Sequence, residues 1–408
     1  MRIIHTSDWH LGRSIETSKR YEEFTAFLEW LNQTIRSKNA DALIVAGDVF
    51  DNIAPPNRAQ ELYYRFLAGL VGSCCRHVVV VAGNHDSPSF LDAPKEVLKA
   101  LNVHVVGTMP EDPADEVIVL ESTDGSPMAL VCAVPYLRDR DIRTVEAGEA
   151  IDKKAEKLRQ GMKDHYARVC DLANAARQKY GALPLIATGH LFTLGGQVIE
   201  DDGVKELYVG SLAHASADMF PAEIDYLALG HLHVPQKVGG KNHFRYAGSP
   251  IAMGFGEAGQ QKQVLLVEFS GRNTQVEEIA VPCFQEMKRV SGTYDEISSQ
   301  LRALVKASSN AWVEVDYTGA EILPALQEDV LRMVESSRLN VVRVKNQSLV
   351  RSFVEGGVPD VAAEDINEQN VFQRFLEMNN VPEENWQEVK AAYNEILTLI
   401  AEEDTHRE

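Results

Sequence analysis

The sequence predicts a layered α/β fold, with helices in two outer layers around two sheets, then a small second α/β unit and a helical tail. Three observations carry this expectation. Short apolar runs alternate with amphipathic stretches over the first 110 residues. Past Leu183 strand-like runs follow one another with few helices between them. Beyond Val281-Pro282 a β-α-β-α-β order begins afresh.

The elements justify this in order. Arg2 to Thr6, Ala42 to Ala46, Val78 to Ala82 and Val103 to Val106 read as buried strands. Lys19 to Ser37 reads as a helix with Phe24, Phe27, Leu28, Leu31 and Ile35 on one face. Asn57 to Val71 and Leu91 to Leu101 read as two more. Two strands flank the turn Asp124-Gly125-Ser126, and a charged helix spans Asp152 to Tyr180. Leu183 to Ala187, Tyr226 to Leu229, Phe244 to Ala247 and Val264 to Phe269 are strand signals. In the second unit Met287 to Ser291, Trp312 to Tyr317 and Leu339 to Val344 are strands. Ile297 to Lys306 and Pro324 to Glu335 are its helices. Gly356-Gly357-Val358-Pro359 reads as a linker. Asp365 to Ile400 reads as two amphipathic helices split near Asn379 to Pro382. The expected domains are therefore 1–280, 281–355 and 356–408.

Composition narrows the class. At 408 residues, 45% hydrophobic and 25% charged, the chain reads as two or three soluble domains. It is neither disordered throughout nor collagen-like. Cys74, Cys75, Cys132, Cys170 and Cys283 show no C-x-x-C pair, so free thiols in a reducing cytosol are expected. No apolar run approaches the ~18 residues of a membrane span. Met1-Arg2-Ile3-Ile4 runs straight into polar residues, so no signal peptide is expected. The formal charge of −20 argues against loose adhesion to nucleic acid or anionic membrane.

Chemistry-bearing residues gather where strands end. The apolar runs deliver Asp8-Trp9-His10, Gly47-Asp48-Val49-Phe50-Asp51, Gly83-Asn84-His85-Asp86, Gly189-His190 and Gly230-His231-Leu232-His233 into loops. Carboxylate, amide and imidazole donors together suit borderline-hard divalent ions such as Mn, Fe or Zn. No thiolate joins them, which argues against a structural zinc site. A carboxylate shared between two ions about 3.5–4 Å apart would let them clamp one phosphate and activate a water. Taken singly, D-x-H or Gly-Asp is a weak signal, since Asp often caps the next helix. The ordered set is strong. His5, His77, His104, His165, His214, His243 and His406 lie outside it and are given no role.

In this order the motifs resemble those of the calcineurin-like metallophosphoesterases. Ile4 to Gly12, Val45 to Asp51, Pro135-Tyr136-Leu137-Arg138 and Gly248-Ser249-Pro250 are similar to the bacterial branch of repair nucleases within that family. The resemblance implies a two-sheet metallophosphoesterase sandwich flanked by helices, a small α/β capping domain facing DNA, and C-terminal helices. It implies two divalent ions, typically Mn²⁺. Asp8, His10, Asp48 and His233 would hold one. Asp48, Asn84, His190 and His231 would hold the other, with Asp48 bridging. His85 would stabilise developing charge and protonate the leaving oxygen. Asp86 would either orient His85 or cap the following helix. Archaeal and eukaryotic members carry a second non-ligand histidine where this chain has Asp51, which is assigned no catalytic role.

The implied activity is DNA exonuclease and endonuclease cleavage in repair, replication and recombination, alongside an SMC-family ATPase. The rival readings are a small-molecule phosphodiesterase and a non-catalytic DNA-end-binding scaffold. The implied setting is the bacterial cytoplasm, at the nucleoid. Residues 356–408 hold 13 acidic and 3 basic residues, so the negative charge is concentrated in the tail. Arg338, Arg343, Lys345 and Arg351 form a basic stretch that could meet phosphates locally or be a solvated strand edge. The tail stripes Val371, Phe372, Phe375, Leu376 and Trp386, Val389, Tyr393, Ile396, Leu397, Ile400 read as the ATPase-binding helices. A homodimer is also implied, with the helices at Asn57 to Val71 and Leu91 to Leu101 as candidates.

Overall fold

Buried β-branched runs set the architecture, because strands flanked by layers on both faces must be apolar throughout. The computed structural model describes residues 1–142, 151–193 (151 and 152 by backbone alone), 196–197, 216–321, 323 and 325–346. Strand β1 (Arg2–Thr6) is followed by the hairpin β2 (Ser14–Ile15) and β3 (Ser18–Lys19), then α1 (Tyr21–Ser37), β4 (Ala42–Ala46), α2 (Asn57–Leu70) and β5 (His77–Val81). Next come α3 (Pro88–Asp92), α4 (Lys95–Lys99), β6 (Val103–Val106), β7 (Val117–Glu121), β8 (Pro127–Cys132) and α5 (Asp139–Ile142). Helix α6 (Ile151–Tyr180) precedes β9 (Leu185–His190), β10 (Tyr226–Gly230), β11 (Gln236–Val238), β12 (Lys241–Tyr246), β13 (Gln263–Ser270) and β14 (Asn273–Ala280). The remaining elements are β15 (Met287–Gly292), α7 (Tyr294–Lys306), β16 (Trp312–Tyr317), α8 (Leu326–Val334) and β17 (Asn340–Asn346).

Two six-stranded sheets form, in the orders β14-β13-β1-β4-β5-β6 and β11-β12-β10-β9-β8-β7. In the first, β1, β4, β5 and β6 are parallel, with Ile4 opposite Leu43, Leu43 opposite Val78 and Val78 opposite Val103. In the second, β12, β10, β9 and β8 are parallel. Alternation along each strand sorts the core into three apolar layers. Phe24, Phe27 and Leu31 of α1, with Leu62 and Phe66 of α2, cover Leu43, Val45, Val78 and Val80. Ile44, Val79 and Val81 meet Leu120, Val131, Ile186 and Ala228 between the sheets. Met162, Tyr166 and Val169 of α6 cover Leu130, Leu185, Leu227 and Leu229. This is the helix–sheet–sheet–helix order that the strand and helix alternation implied. Parallel pairing places the C-terminal ends of β1, β4 and β5 at one edge of their sheet, and those of β9 and β10 at one edge of theirs.

The described residues divide into two compact units: those of 1–289 with 308–314 and 338–343, and those of 290–307, 315–337 and 344–346. The three strands β15, β16 and β17 form a sheet in that order. Helix α7 opens with a capping box, in which Thr293 N–H and its hydroxyl donate to Glu296 Oε2 at 2.8 and 2.9 Å. Arg343 does not stand free as a phosphate contact. It and Arg289 are paired with the fully buried Glu314, Arg343 Nε and Arg289 Nε each 2.6 Å from a carboxylate oxygen. The linker, the tail helices and Arg351 lie outside the described residues.

Three local readings are corrected. The single helix expected over Leu91 to Leu101 is two short ones, because Pro94 interrupts the backbone hydrogen bonds and Ser87 caps a separate start, accepting from Phe90 N–H at 3.3 Å. The strand expected from Leu183 starts at Leu185, after Pro184. Strand β14 has no counterpart among the expected strands because its sequence is polar and its side chains are mostly exposed at a sheet edge, paired only with β13. The five thiols are free. Among the described residues no helix is long and apolar enough to cross a membrane.

Candidate metal centre

The five loops named from the sequence meet where the two sheet edges coincide. His231 N–H donates to Asp8 Oδ1 at 2.9 Å, and His190 Nδ1–H donates to the Ala46 carbonyl at 3.0 Å, so each contact ties one sheet to the other. Asp8, His10, Asp48, His190, His231 and His233 are all buried, and Asn84 is half-buried. Ligand atoms of Asp8, His10 and His233 lie within 4.8 Å of one another, as do those of Asp8, Asp48 and His190. Asp8, His10, Asp48 and His231 all have positive φ (54°, 47°, 51° and 98°). Such backbone costs about 1–3 kcal/mol per residue and persists where the surroundings enforce it. The motif glycines follow from the same crowding. A Cβ on Gly83 would lie 2.1 Å from Asp48 Oδ1, and one on Gly47 would lie 2.2 Å from His190 Nδ1.

The donors converge as acceptors, which is the pattern a cation requires. With Nδ1–H given to Ala46, His190 turns its Nε2 toward Asp48 Oδ2 at 3.3 Å and Asn84 Oδ1 at 3.0 Å, where either a proton or a cation can sit between them. His10 Nε2 and His233 Nε2 face each other at 3.2 Å, while His10 Nδ1 sits 3.3 Å from Asp51 Oδ1 and His233 Nδ1 sits 3.2 Å from Glu257 Oε1. His233 Nδ1 is hydrogen-bonded to Glu257, and His10 Nδ1 stands in ion-pair range of Asp51 without an aligned hydrogen bond, so both rings turn Nε2 to one spot. His231 Nε2 is buried and has no hydrogen-bond partner among the described residues. An orphaned buried imidazole nitrogen is costly unless something binds it. These residues fit divalent ions with oxygen and nitrogen ligands.

Electrostatics agree. Burial alone would lower the His190 imidazole, but the Asp48 carboxylate raises it to about 9. Asp48 is held well below the usual carboxylate range by His190 and His10, against the effect of its burial. Burial, and next the neighbouring His190, lower His231. The spot favours positive charge where Asp48 and His190 meet and resists protons at His231, where a metal can take the lone pair.

His85 and Asp86 fall in different places. His85 stands beside His10, ring centroids 4.8 Å apart and planes at 86°, and its Nδ1–H donates to the Asp51 carbonyl at 2.7 Å. Asp86 takes neither role left open by the sequence. The ring partner of His85 is Asp51, and the cap of the next helix is Ser87. The Asp86 carboxylate instead accepts the backbone N–H groups of Val49, Phe50 and Gly83 at 3.1, 2.9 and 2.9 Å, locking the loop after β4 to the loop after β5. Burial, followed by the charge of Asp48, pushes it up to about 7, although those three bonds act downward.

Sequence reasoning missed the support behind His233. Glu257 is fully buried and also accepts Met253 N–H at 3.0 Å and the Ser249 hydroxyl at 3.2 Å. Buried Lys262 pairs with it and donates to Ser249 Oγ at 3.0 Å. Despite burial, the His233 bond and the Lys262 charge bring Glu257 down to about 2. Gly248-Ser249-Pro250 was the visible end of this network, but nothing in the spacing pointed to Glu257.

The chain belongs to the calcineurin-like phosphoesterase family, whose model matches residues 1–235. It is a metal-dependent phosphoesterase, and the buried groups above include candidates to hold a divalent ion. A second model, described as a Type 5 capsule protein repressor C-terminal domain, matches residues 283–380. Among curated proteins, the SbcD component of the nuclease SbcCD from Escherichia coli (strain K12) is 37% identical over 410 residues, covering 99% of each chain. Its counterpart in Bacillus subtilis (strain 168) is 30% identical over 415 residues, covering 99% of this chain and 100% of its own. The SbcD component from Rhodobacter capsulatus is 36% identical over 281 residues, covering 66% of this chain and 67% of its own.

Proposed function

We propose that this chain is the nuclease component of an SbcCD-type complex, hydrolysing DNA phosphodiesters with two Mn²⁺ ions. The observation that carries it is the buried convergence of acceptors around Asp48, in a chain similar end to end to the SbcD components of such nucleases. Asp8, His10, Asp48 and His233 would hold one ion, and Asp48, Asn84, His190 and His231 the other. When bound, such ions neutralise charge on a phosphate and activate water. The protein supplies the rest. Burial excludes bulk water, Asp51 and Glu257 aim His10 and His233, and the Ala46 carbonyl aims His190. With Nδ1 fixed by the Asp51 carbonyl, His85 offers Nε2 to carry a proton to the leaving oxygen.

The substrate is DNA, and the partner is an SbcC-like SMC-family ATPase held through residues 365–400. The proposal includes domains at 1–280, 281–355 and 356–408, a homodimer through the α2 and α3–α4 region, and work at the nucleoid. The test incubates the full chain, with and without its ATPase partner, with hairpin DNA and with a small phosphodiester in Mn²⁺. DNA cleavage is expected, and it should fall about 10²–10⁴-fold in His85→Ala with Mn²⁺ binding retained. Cleavage of the small diester alone would favour the small-molecule reading. Binding of DNA ends without any hydrolysis would favour the scaffold.

A further inference from the structure

Asp51 lies three residues after Asp48 and touches both His10 and His85. Its carboxylate Oδ1 lies 3.3 Å from His10 Nδ1 and 3.3 Å from Arg13 Nη1. Its main-chain carbonyl accepts His85 Nδ1–H at 2.7 Å, and its own N–H donates to the Leu11 carbonyl at 3.3 Å. Arg13 is held in turn, its Nε donating to the Met253 carbonyl at 3.1 Å. One residue therefore touches the far nitrogen of both rings of the His10–His85 pair, through two different groups.

We infer that Asp51 is a positioning residue that sets two histidines at once, its carboxylate turning His10 Nε2 toward the metal spot and its carbonyl turning His85 Nε2 toward the substrate. An imidazole nitrogen binds a cation only where it carries no proton, so placing the other proton on Nδ1 decides the ligand. A carboxylate behind a metal-binding histidine fixes that tautomer and ring angle. His233 has the same arrangement with Glu257, so the two rings that face each other at 3.2 Å are each backed by a carboxylate. Arg13 limits the ways the Asp51 side chain can turn, since its guanidinium is anchored at both ends. The two functions are separable. Asp51→Ala removes the carboxylate but keeps the carbonyl to His85. Asp51→Asn keeps an acceptor of the same shape beside His10 without the charge.

This rests on the two-metal reading, and the experiment separates the two. Mn²⁺ is titrated into the full wild-type chain, Asp51→Ala, Asp51→Asn and Arg13→Ala by calorimetry, with thermal melts of each. Two ions are expected in wild type. In Asp51→Ala one of the two should weaken about 10–100-fold while the other is unchanged. Asp51→Asn and Arg13→Ala should fall between. If Asp51→Ala fails to fold, Asp51→Asn decides, with a measurable loss confined to one ion expected. Wild-type affinity at both ions in every folded variant would overturn the role of Asp51 and leave the metal centre standing. Absence of Mn²⁺ binding in wild type would overturn the two-metal reading itself.

Discussion

At the scale of single residues, the site is a set of lone pairs aimed at one another and held there by outer partners. Residue type is legible in sequence, whereas proton placement is not. Asp, Asn and His recurring at strand ends marked the region, and the family resemblance implied which of them are ligands: Asp8, His10, Asp48, Asn84, His190, His231 and His233. Asp86 could not be read correctly, since its three N–H partners come from Val49, Phe50 and Gly83, two of them far away in sequence. Glu257 was invisible for the same reason. His5 illustrates a buried histidine outside the centre. Its Nδ1 lies 2.8 Å from the Tyr226 hydroxyl, and burial lowers its pKa to about 3. The unfolded chain takes up that proton near pH 6.5 and the folded chain only near 3, so stability falls as pH drops through this window and levels off below it. Chemical denaturation between about pH 7.5 and 4 should therefore show a shallower loss in His5→Gln than in wild type. Equal slopes would remove His5 from the account.

At the scale of elements, the parallel strands do the positioning. The strands β4 and β5 are easy to recognise because they are apolar along their whole length, as strands covered on both faces must be. The helix break at Pro94 and the polar edge strand β14 are harder, because a proline near a helix start and an exposed strand leave no periodic signal. The Asp86 carboxylate joins the β4 and β5 loops, beside the bonds of His85 to Asp48 and to the Asp51 carbonyl. Asp86→Ala would strand three N–H groups where water does not easily reach, at about 1–3 kcal/mol each before relaxation. A thermal melt should show a loss of several kcal/mol, and Mn²⁺ affinity should fall with it because Asp48 lies in the same loop. A melt within about 0.5 kcal/mol of wild type would mean that the loops do not depend on this carboxylate.

At the scale of the whole molecule, charge is distributed by task. The net −20 taken alone speaks against a nucleic-acid enzyme. Asp8 and Asp48 lie among the candidate metal ligands, and 13 of the acidic residues lie in the tail from Gly356 onward. Arg343 and Arg289 both pair with Glu314 within the strands β15 to β17. If the tail holds the ATPase, a chain ending at Gly356 should lose co-purification of that partner and retain Mn²⁺ binding. Undiminished co-purification would move the interface elsewhere. The central claim is a pair of ions sharing Asp48. Anomalous scattering from a crystal soaked in Mn²⁺ tests it most directly. The account predicts two peaks about 3.5–4 Å apart with Asp48 between them. A single peak, or none among these seven residues, would contradict it.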